Sequence, residues 1–250
     1  MKYDHVFSFG RWCATAIYLE NRGLRSFSTP FDWLLADEVP FSGYADLVCN
    51  GFKGFMELES LTPVEGCPGQ FRDRRTGMIS VHDFRPNVEP TRTYDAVWAK
   101  LSRRIARYLA AIGESKKILL VKCVRQDVVD VEDVERGLMC LRNRFSGTQF
   151  DAILLQHVAG LERVACVHDV DGVTVWQGDF FASTRPGWEV IGNANLCDTI
   201  FGKIRVKGQL RNLARITAVR LKKRLKARLH LTHAARLKAR EAERQSWKEF

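Results

Sequence analysis

The stretch from Ile118 to Val158 constrains the fold more than any other part of this sequence. Ile118 to Val124 is a near-continuous apolar run, the pattern of a central strand covered on both faces. Val131 to Phe145 follows with helical spacing through Val134, Leu138, Leu141 and Phe145, and Phe150 to Val158 is a second apolar run. Strand, helix and strand in this order define a layered α/β domain. Asp169-Val170-Asp171-Gly172 is a hairpin turn signal between the runs Glu162–His168 and Val173–Asp179, so a mixed sheet with an antiparallel edge hairpin is expected. Upstream, Val97, Leu101, Ile105, Leu109 and Ile112 mark a basic helix from Thr91 to Ile112, closed by Gly113. Shorter signals predict a helix at Gly43–Cys49, a strand at Gly54–Leu58, a strand at Met78–Phe84 and a last body helix at Trp188–Phe201.

Charge divides the chain. Residues 203–250 hold sixteen Lys or Arg against three Glu, while residues 1–202 hold 23 basic and 26 acidic residues. The net charge of +10 therefore belongs to the tail, and the boundary is expected at 202/203. The tail has no Pro and one Gly near its start, and Leu210, Leu213, Thr217, Leu221, Leu225 and Leu229 trace a stripe among Lys and Arg. A long basic helix is predicted from about Val206 to Phe250. Three partners fit it: the body or a second subunit in a homo-oligomer, an anionic membrane surface, and nucleic acid. Nucleic acid ranks last, since only Trp247 and Phe250 could stack on bases. No stretch approaches the roughly 18 to 20 apolar residues of a membrane span. Met1-Lys2-Tyr3-Asp4-His5 runs directly into a strand, and seven scattered cysteines form no CxxC pair, so a cytoplasmic protein without a disulfide framework or zinc ribbon is expected.

Chemistry gathers near the start. Val6 to Phe9 reads as a strand, Gly10 breaks it, and Cys13 opens a helical segment that Gly23 ends. A cysteine at a helix mouth sits where the backbone dipole favours thiolate, as a nucleophile requires; a small buried cysteine in a turn occupies the same place. Asp32 lies in Pro30-Phe31-Asp32-Trp33, an acid among aromatics that either caps the backbone or serves a site. A cysteine nucleophile needs a base. His82, with Asp83 beside it at a strand end, suits that role best, ahead of His157 and His168. Cys166, His168, Asp169 and Asp171 match no metal-ligand spacing. GxGxxG, P-loop and GxSxG motifs are absent from the sequence, and no cofactor is expected.

The run Ser8-Phe9-Gly10-Arg11-Trp12-Cys13-Ala14-Thr15-Ala16, then Leu19, Gly23-Leu24-Arg25 and Ser28-Thr29-Pro30-Phe31-Asp32-Trp33, resembles a bacterial family of unknown function described as papain-like cysteine peptidases. The resemblance continues at Val81-His82-Asp83-Phe84, at the strand Ile118–Val124 behind its basic helix and at Trp188, and covers roughly residues 3–202. It implies a thiol hydrolase or acyl transferase with Cys13 as nucleophile and His82 as general base. Asp32 or Asp83 would orient the imidazole. Neighbours on a strand point to opposite faces, which favours Asp32. The alternative is a non-catalytic protein, or one of a cell-surface polysaccharide pathway, whose basic tail docks to a membrane or a partner.

Overall fold

The computed structural model describes residues 1–10, 13–36, 39–124, 128–180 and 194–225. In chain order the elements are β1 (Lys2–Tyr3), β2 (His5–Ser8), α1 (Cys13–Asn21), β3 (Leu34–Leu35), α2 (Phe41–Cys49), β4 (Leu61–Pro63), β5 (Phe71–Asp73) and β6 (Ile79–Ser80). They continue with α3 (Tyr94–Gly113), β7 (Lys117–Val124), α4 (Val131–Arg144), β8 (Gln149–His157), β9 (Ala165–Val170), β10 (Val173–Gly178), α5 (Ala194–Phe201) and β11 (Arg205–Val206).

The main sheet has the order β2-β7-β8-β10-β9; the first four strands are parallel and β9 returns antiparallel, the expected edge hairpin. Both faces are covered, which explains why β7 shows almost no polar alternation. Leu119, Val121 and Cys123 enter the cluster under α1 and α5, with Ala14, Tyr18, Leu19, Cys197 and Ile200. Ile118, Leu120 and Val124 enter the cluster under α2, α3 and α4, with Tyr44, Leu101, Tyr108, Val134 and Leu138. A smaller antiparallel sheet, β3-β6-β5-β4, stands beside this domain.

Topology makes one crevice. After β2 the chain enters α1 on one face of the sheet, whereas after β7 it enters α4 on the other. Where neighbouring parallel strands send their connections to opposite faces, a cleft opens outside their carboxyl ends, and α/β proteins bind ligands there. Gly10 shapes its rim. It has φ +66°, and a Cβ at this position would run into the Tyr44 hydroxyl.

Several elements differ from the sequence-based expectation. Gly54–Leu58 is not a strand: Phe52 and Met56 turn with positive φ, which buries Phe52, Phe55 and Met56 in the aromatic core. Only Ile79–Ser80 of the expected strand Met78–Phe84 pairs, with β3 and β5. The chain then bends because Asp83 folds back, accepting the Ser80 hydroxyl at 2.9 Å and the Lys100 ammonium. Phe84 is buried against Phe71, while His82 is exposed, so the two do not share a strand face. Of the helix expected at Trp188–Phe201, Ala194–Phe201 is helical and residues 188–193 lie outside the described residues.

Residues 209–225 are helical, and the expectation of a helix reaching Phe250 falls on residues 226–250, outside the described ones. The packed face is offset from the expected stripe. Asn212, Leu213 and Ile216 turn to the body, with Asn212 donating to the Gly23 carbonyl at 3.1 Å, while Leu210, Thr217, Leu221 and Leu225 are exposed. Upstream of this helix, β11 pairs in parallel with β1.

Gly10→Ala should destabilise the protein by about 1–3 kcal/mol, the left-handed backbone costing 1–2 and the Tyr44 clash the rest. Urea unfolding measures it; an unchanged midpoint would mean that the loop relaxes freely away from Tyr44.

Candidate active site

Cys13 is the first residue of α1 and stands at the carboxyl-end cleft. Its thiol is half-buried, and burial pushes it above the ordinary cysteine value, with the residue's own backbone N–H pulling weakly the other way. Burial thus acts against the thiolate that a helix mouth favours.

α1 turns Tyr18 toward α5, where its hydroxyl donates to Asp198 at 2.8 Å. Cys13 and Glu20, seven residues apart, share a different side of the helix. Glu20 pairs with Arg25, and Arg25 Nη1 lies 2.5 Å from Asp32. Both carboxylate oxygens of Asp32 are used, since Thr29 donates from its backbone N–H at 2.9 Å and from its hydroxyl at 2.7 Å. Asp32 is completely buried; burial pushes its carboxyl up, opposed by Arg25 and Thr29. The acid among aromatics thus ties the 25–33 loop, and that loop leads into Trp33 and β3.

β3 pairs with β6, and the bend after β6 carries His82. The imidazole lies edge-on to Trp33, with centroids 6.3 Å apart, and the Arg25 guanidinium is 5.7 Å from a Trp33 ring centroid. Asp32, His82 and Asp83 are linked through Arg25, Trp33 and the bend after β6 to the Glu20 end of α1, whereas Cys13 opens that helix at its other end. They are not joined as a hydrogen-bonded chain: among the described residues the Cys13 thiol has no hydrogen bond to His82. Neither acid bonds the imidazole, because Asp32 holds Arg25 and Thr29 while Asp83 holds Ser80 and Lys100.

The other candidates fall elsewhere. His157 Nδ1 is 3.4 Å from the Asp179 carboxylate at the ends of β8 and β10. In the expected hairpin, the exposed Cys166 thiol donates to the His168 carbonyl at 3.4 Å, Asp169 accepts from Thr174, and Asp171 forms the turn with φ 48°. Among the described residues no three of His, Cys, Asp and Glu gather to hold a metal ion.

Two cations that carry no motif of their own, Arg25 and Lys122, are built into the structure. Arg25 joins α1, through Glu20, to Asp32. Lys122 interrupts the apolar run of β7, and this break in the pattern was its signal. It is buried, donates to the Val39 carbonyl at 2.6 Å and lies 4.2 Å from the Tyr44 ring centroid. It lines a cavity of about 290 Å³ between α2 and α4 with Ser42, Val124, Asp133, Arg136 and Leu154. Tyr44 touches both Lys122, which lines this cavity, and Gly10.

The fold is thus mixed α/β, with Cys13 opening the helix after β2 and His82 on the bend after β6. The chain belongs to the family described as "Putative papain-like cysteine peptidase (DUF1796)", whose pattern matches residues 4–160. It is also similar to an uncharacterized protein of Acanthamoeba polyphaga mimivirus, 26% identical over 142 residues. That match covers 49% of this chain and 63% of the viral protein, less than two thirds of its length. No solved structure matches the chain.

Because its folded pKa is raised, Cys13 should alkylate more slowly than a free cysteine at pH 7.5. Its rate should climb through a midpoint above the ordinary value of roughly 8.5. Iodoacetamide labelling mapped by peptide mass spectrometry across pH measures this. A midpoint at or below the ordinary value would mean that the helix dipole prevails over burial.

Proposed function

We propose that the protein is a thiol hydrolase or acyl transferase with Cys13 as nucleophile and His82 as general base. The observation that carries the proposal is the position of Cys13 at the first turn of α1 on the carboxyl-end cleft, in a chain of the papain-like family. A thiol that burial keeps protonated needs a base at the moment of attack. In the proposed reaction His82 takes the Sγ proton as Cys13 attacks a substrate carbonyl. The carbonyl π pair moves to oxygen, and the unsatisfied backbone N–H groups of the first turn of α1 would receive that oxyanion. As the oxyanion collapses, the bond to the leaving group breaks and His82 returns the proton to that group, leaving a thioester. Water or another nucleophile, deprotonated by His82, then releases the acyl group and restores the thiol. Trp33 sets the plane of the imidazole. Asp32 and Asp83 act as positioning residues, the first through Arg25 and the 25–33 loop, the second by holding the bend after β6.

A panel of fluorogenic peptide amides, thioesters and activated esters tests this with the full chain. Cys13→Ala should abolish turnover, and His82→Asn should lower kcat about 10²–10⁴-fold, the usual contribution of a general base. Equal turnover by wild type and Cys13→Ala would remove the nucleophile assignment. Accumulation of an amide on adding an amine acceptor would identify the transferase over the hydrolase.

The exposed side of the 209–225 helix favours a second role, which also suits a non-catalytic protein of a cell-surface polysaccharide pathway. Leu210, Leu221 and Leu225 are 82%, 57% and 52% exposed. At helical period they form one stripe with Arg224 on one flank and Arg211 and Lys222 on the other. Such a face enters an anionic membrane surface with its leucines in the interface and its cations at the headgroups. None of the described helices is long and apolar enough to cross a membrane. The full chain should float with phosphatidylserine-containing vesicles and not with phosphatidylcholine alone, and Leu221→Glu/Leu225→Glu should remain in the soluble fraction. Flotation of that double variant like the wild type would overturn the membrane role.

A further inference from the structure

The cations at the His82 corner are not equivalent. Arg25 is shared between Glu20 and Asp32, and Lys100 is bonded to Asp83. Arg107 donates to the Ser28 carbonyl at 2.9 Å and lies 4.6 Å from the Phe27 ring centroid. Lys100, Arg104 and Arg107 follow one another at i+4 and i+3, so they share one side of α3. Arg104 stands between two cations that are anchored to the loops on either side, yet it has no hydrogen-bond or ion-pair partner among the described residues.

Charge at the corner does not balance. The acids Glu20, Asp32 and Asp83 all have partners, against four cations, so one positive charge is left over. It is also partly dehydrated: Arg104 is half-buried, and burial lowers its affinity for its proton, with Arg107 and Arg25 adding to this while Asp83 and Asp32 oppose it. A guanidinium that has given up water without gaining a partner is a cost in the empty protein. An oxyanion would remove that cost, because the planar fork of Arg presents parallel N–H donors to a carboxylate or phosphoryl group.

We propose that Arg104 anchors an anion subsite at the His82 corner, where it takes a carboxylate or phosphoryl group of the ligand. The subsite stands on the side-chain arrangement of α3 and its neighbours. That its ligand is the substrate of Cys13, whose acyl donor or acceptor then carries an acidic group, rests on the proposed function. Lys100 and Arg107, each held by one hydrogen bond to a loop, to Asp83 and to the Ser28 carbonyl, add positive charge to the approach. Trp33 and Phe27 supply flat apolar surface for the ligand body beside the charge.

Titration calorimetry of the full chain with glutarate and with inorganic phosphate, at matched ionic strength, tests the subsite. Saturable binding of at least one probe is expected, and which of the two binds separates a carboxylate site from a phosphoryl site. Arg104→Gln should weaken it about tenfold or more, the cost of losing a charge-assisted hydrogen bond. That variant should fold normally, because no bond is lost, and Arg104→Lys, which keeps charge without the fork, should bind with intermediate affinity. The exposed Arg103→Gln and the nucleophile variant Cys13→Ala should bind like the wild type. The subsite is overturned if neither probe saturates, if Arg104→Gln binds like the wild type, or if Arg103→Gln weakens binding equally, which would reduce the effect to diffuse charge. Anion binding without Cys13-dependent turnover would remove the thiol chemistry alone, and Cys13-dependent turnover without anion binding would remove the subsite alone.

Discussion

The Arg25–Asp32 pair is the joint on which this corner depends. Asp32 is fully buried and Arg25 nearly so, and removing one member of a buried pair generally costs about 3–5 kcal/mol because the other charge is left without a counter-ion. The pair does more than neutralise itself. Through Glu20 it reaches α1, and through Thr29 it tightens the loop that delivers Trp33 and β3. β3 in turn pairs with β6, which carries the bend with His82. Helix and small sheet, which share few other contacts, are thereby held in one frame.

The main sheet supplies the other half of the site. Its parallel strands send α1 and α4 to opposite faces, and the resulting cleft exists whatever side chains line it. Aromatic packing then fixes the rim. Phe9 stacks on Tyr44 at 5.2 Å between centroids and meets Phe31 edge-on at 5.5 Å, so β2, α2 and the 25–33 loop are registered by one aromatic group. Gly10 has to lack a side chain for Tyr44 to lie there.

The parts legible in the sequence were those whose burial is one-sided over many residues or complete on both faces. α3, α4, β7 and β8 have such patterns and fall within three residues of expectation. The region from Gly54 to Phe84 was misread because its order comes from side chains that fold back on the backbone, and the Asp83 clasp on Ser80 leaves no periodic trace. Cys13 and Asp32 could be picked out by residue type and motif, but not by environment. Whether a helix-mouth thiol is charged depends on how deeply the fold buries it, and whether an acid caps or catalyses depends on an arginine seven residues away. Arg104 was invisible for a related reason. Spaced Lys and Arg on a helix ordinarily mean a solvated face, and only the tertiary packing of α3 shows that two of these cations are engaged and the one between them is not.

The raised Cys13 thiol bears on the durability of the protein as well as on its chemistry. Oxidation to sulfenic and sulfinic acid proceeds through the thiolate and follows thiolate content and exposure. Half-buried, with burial pushing its thiol up, Cys13 presents less thiolate to peroxide than an exposed cysteine does. Burial that disfavours the Cys13 thiolate therefore also disfavours its oxidation.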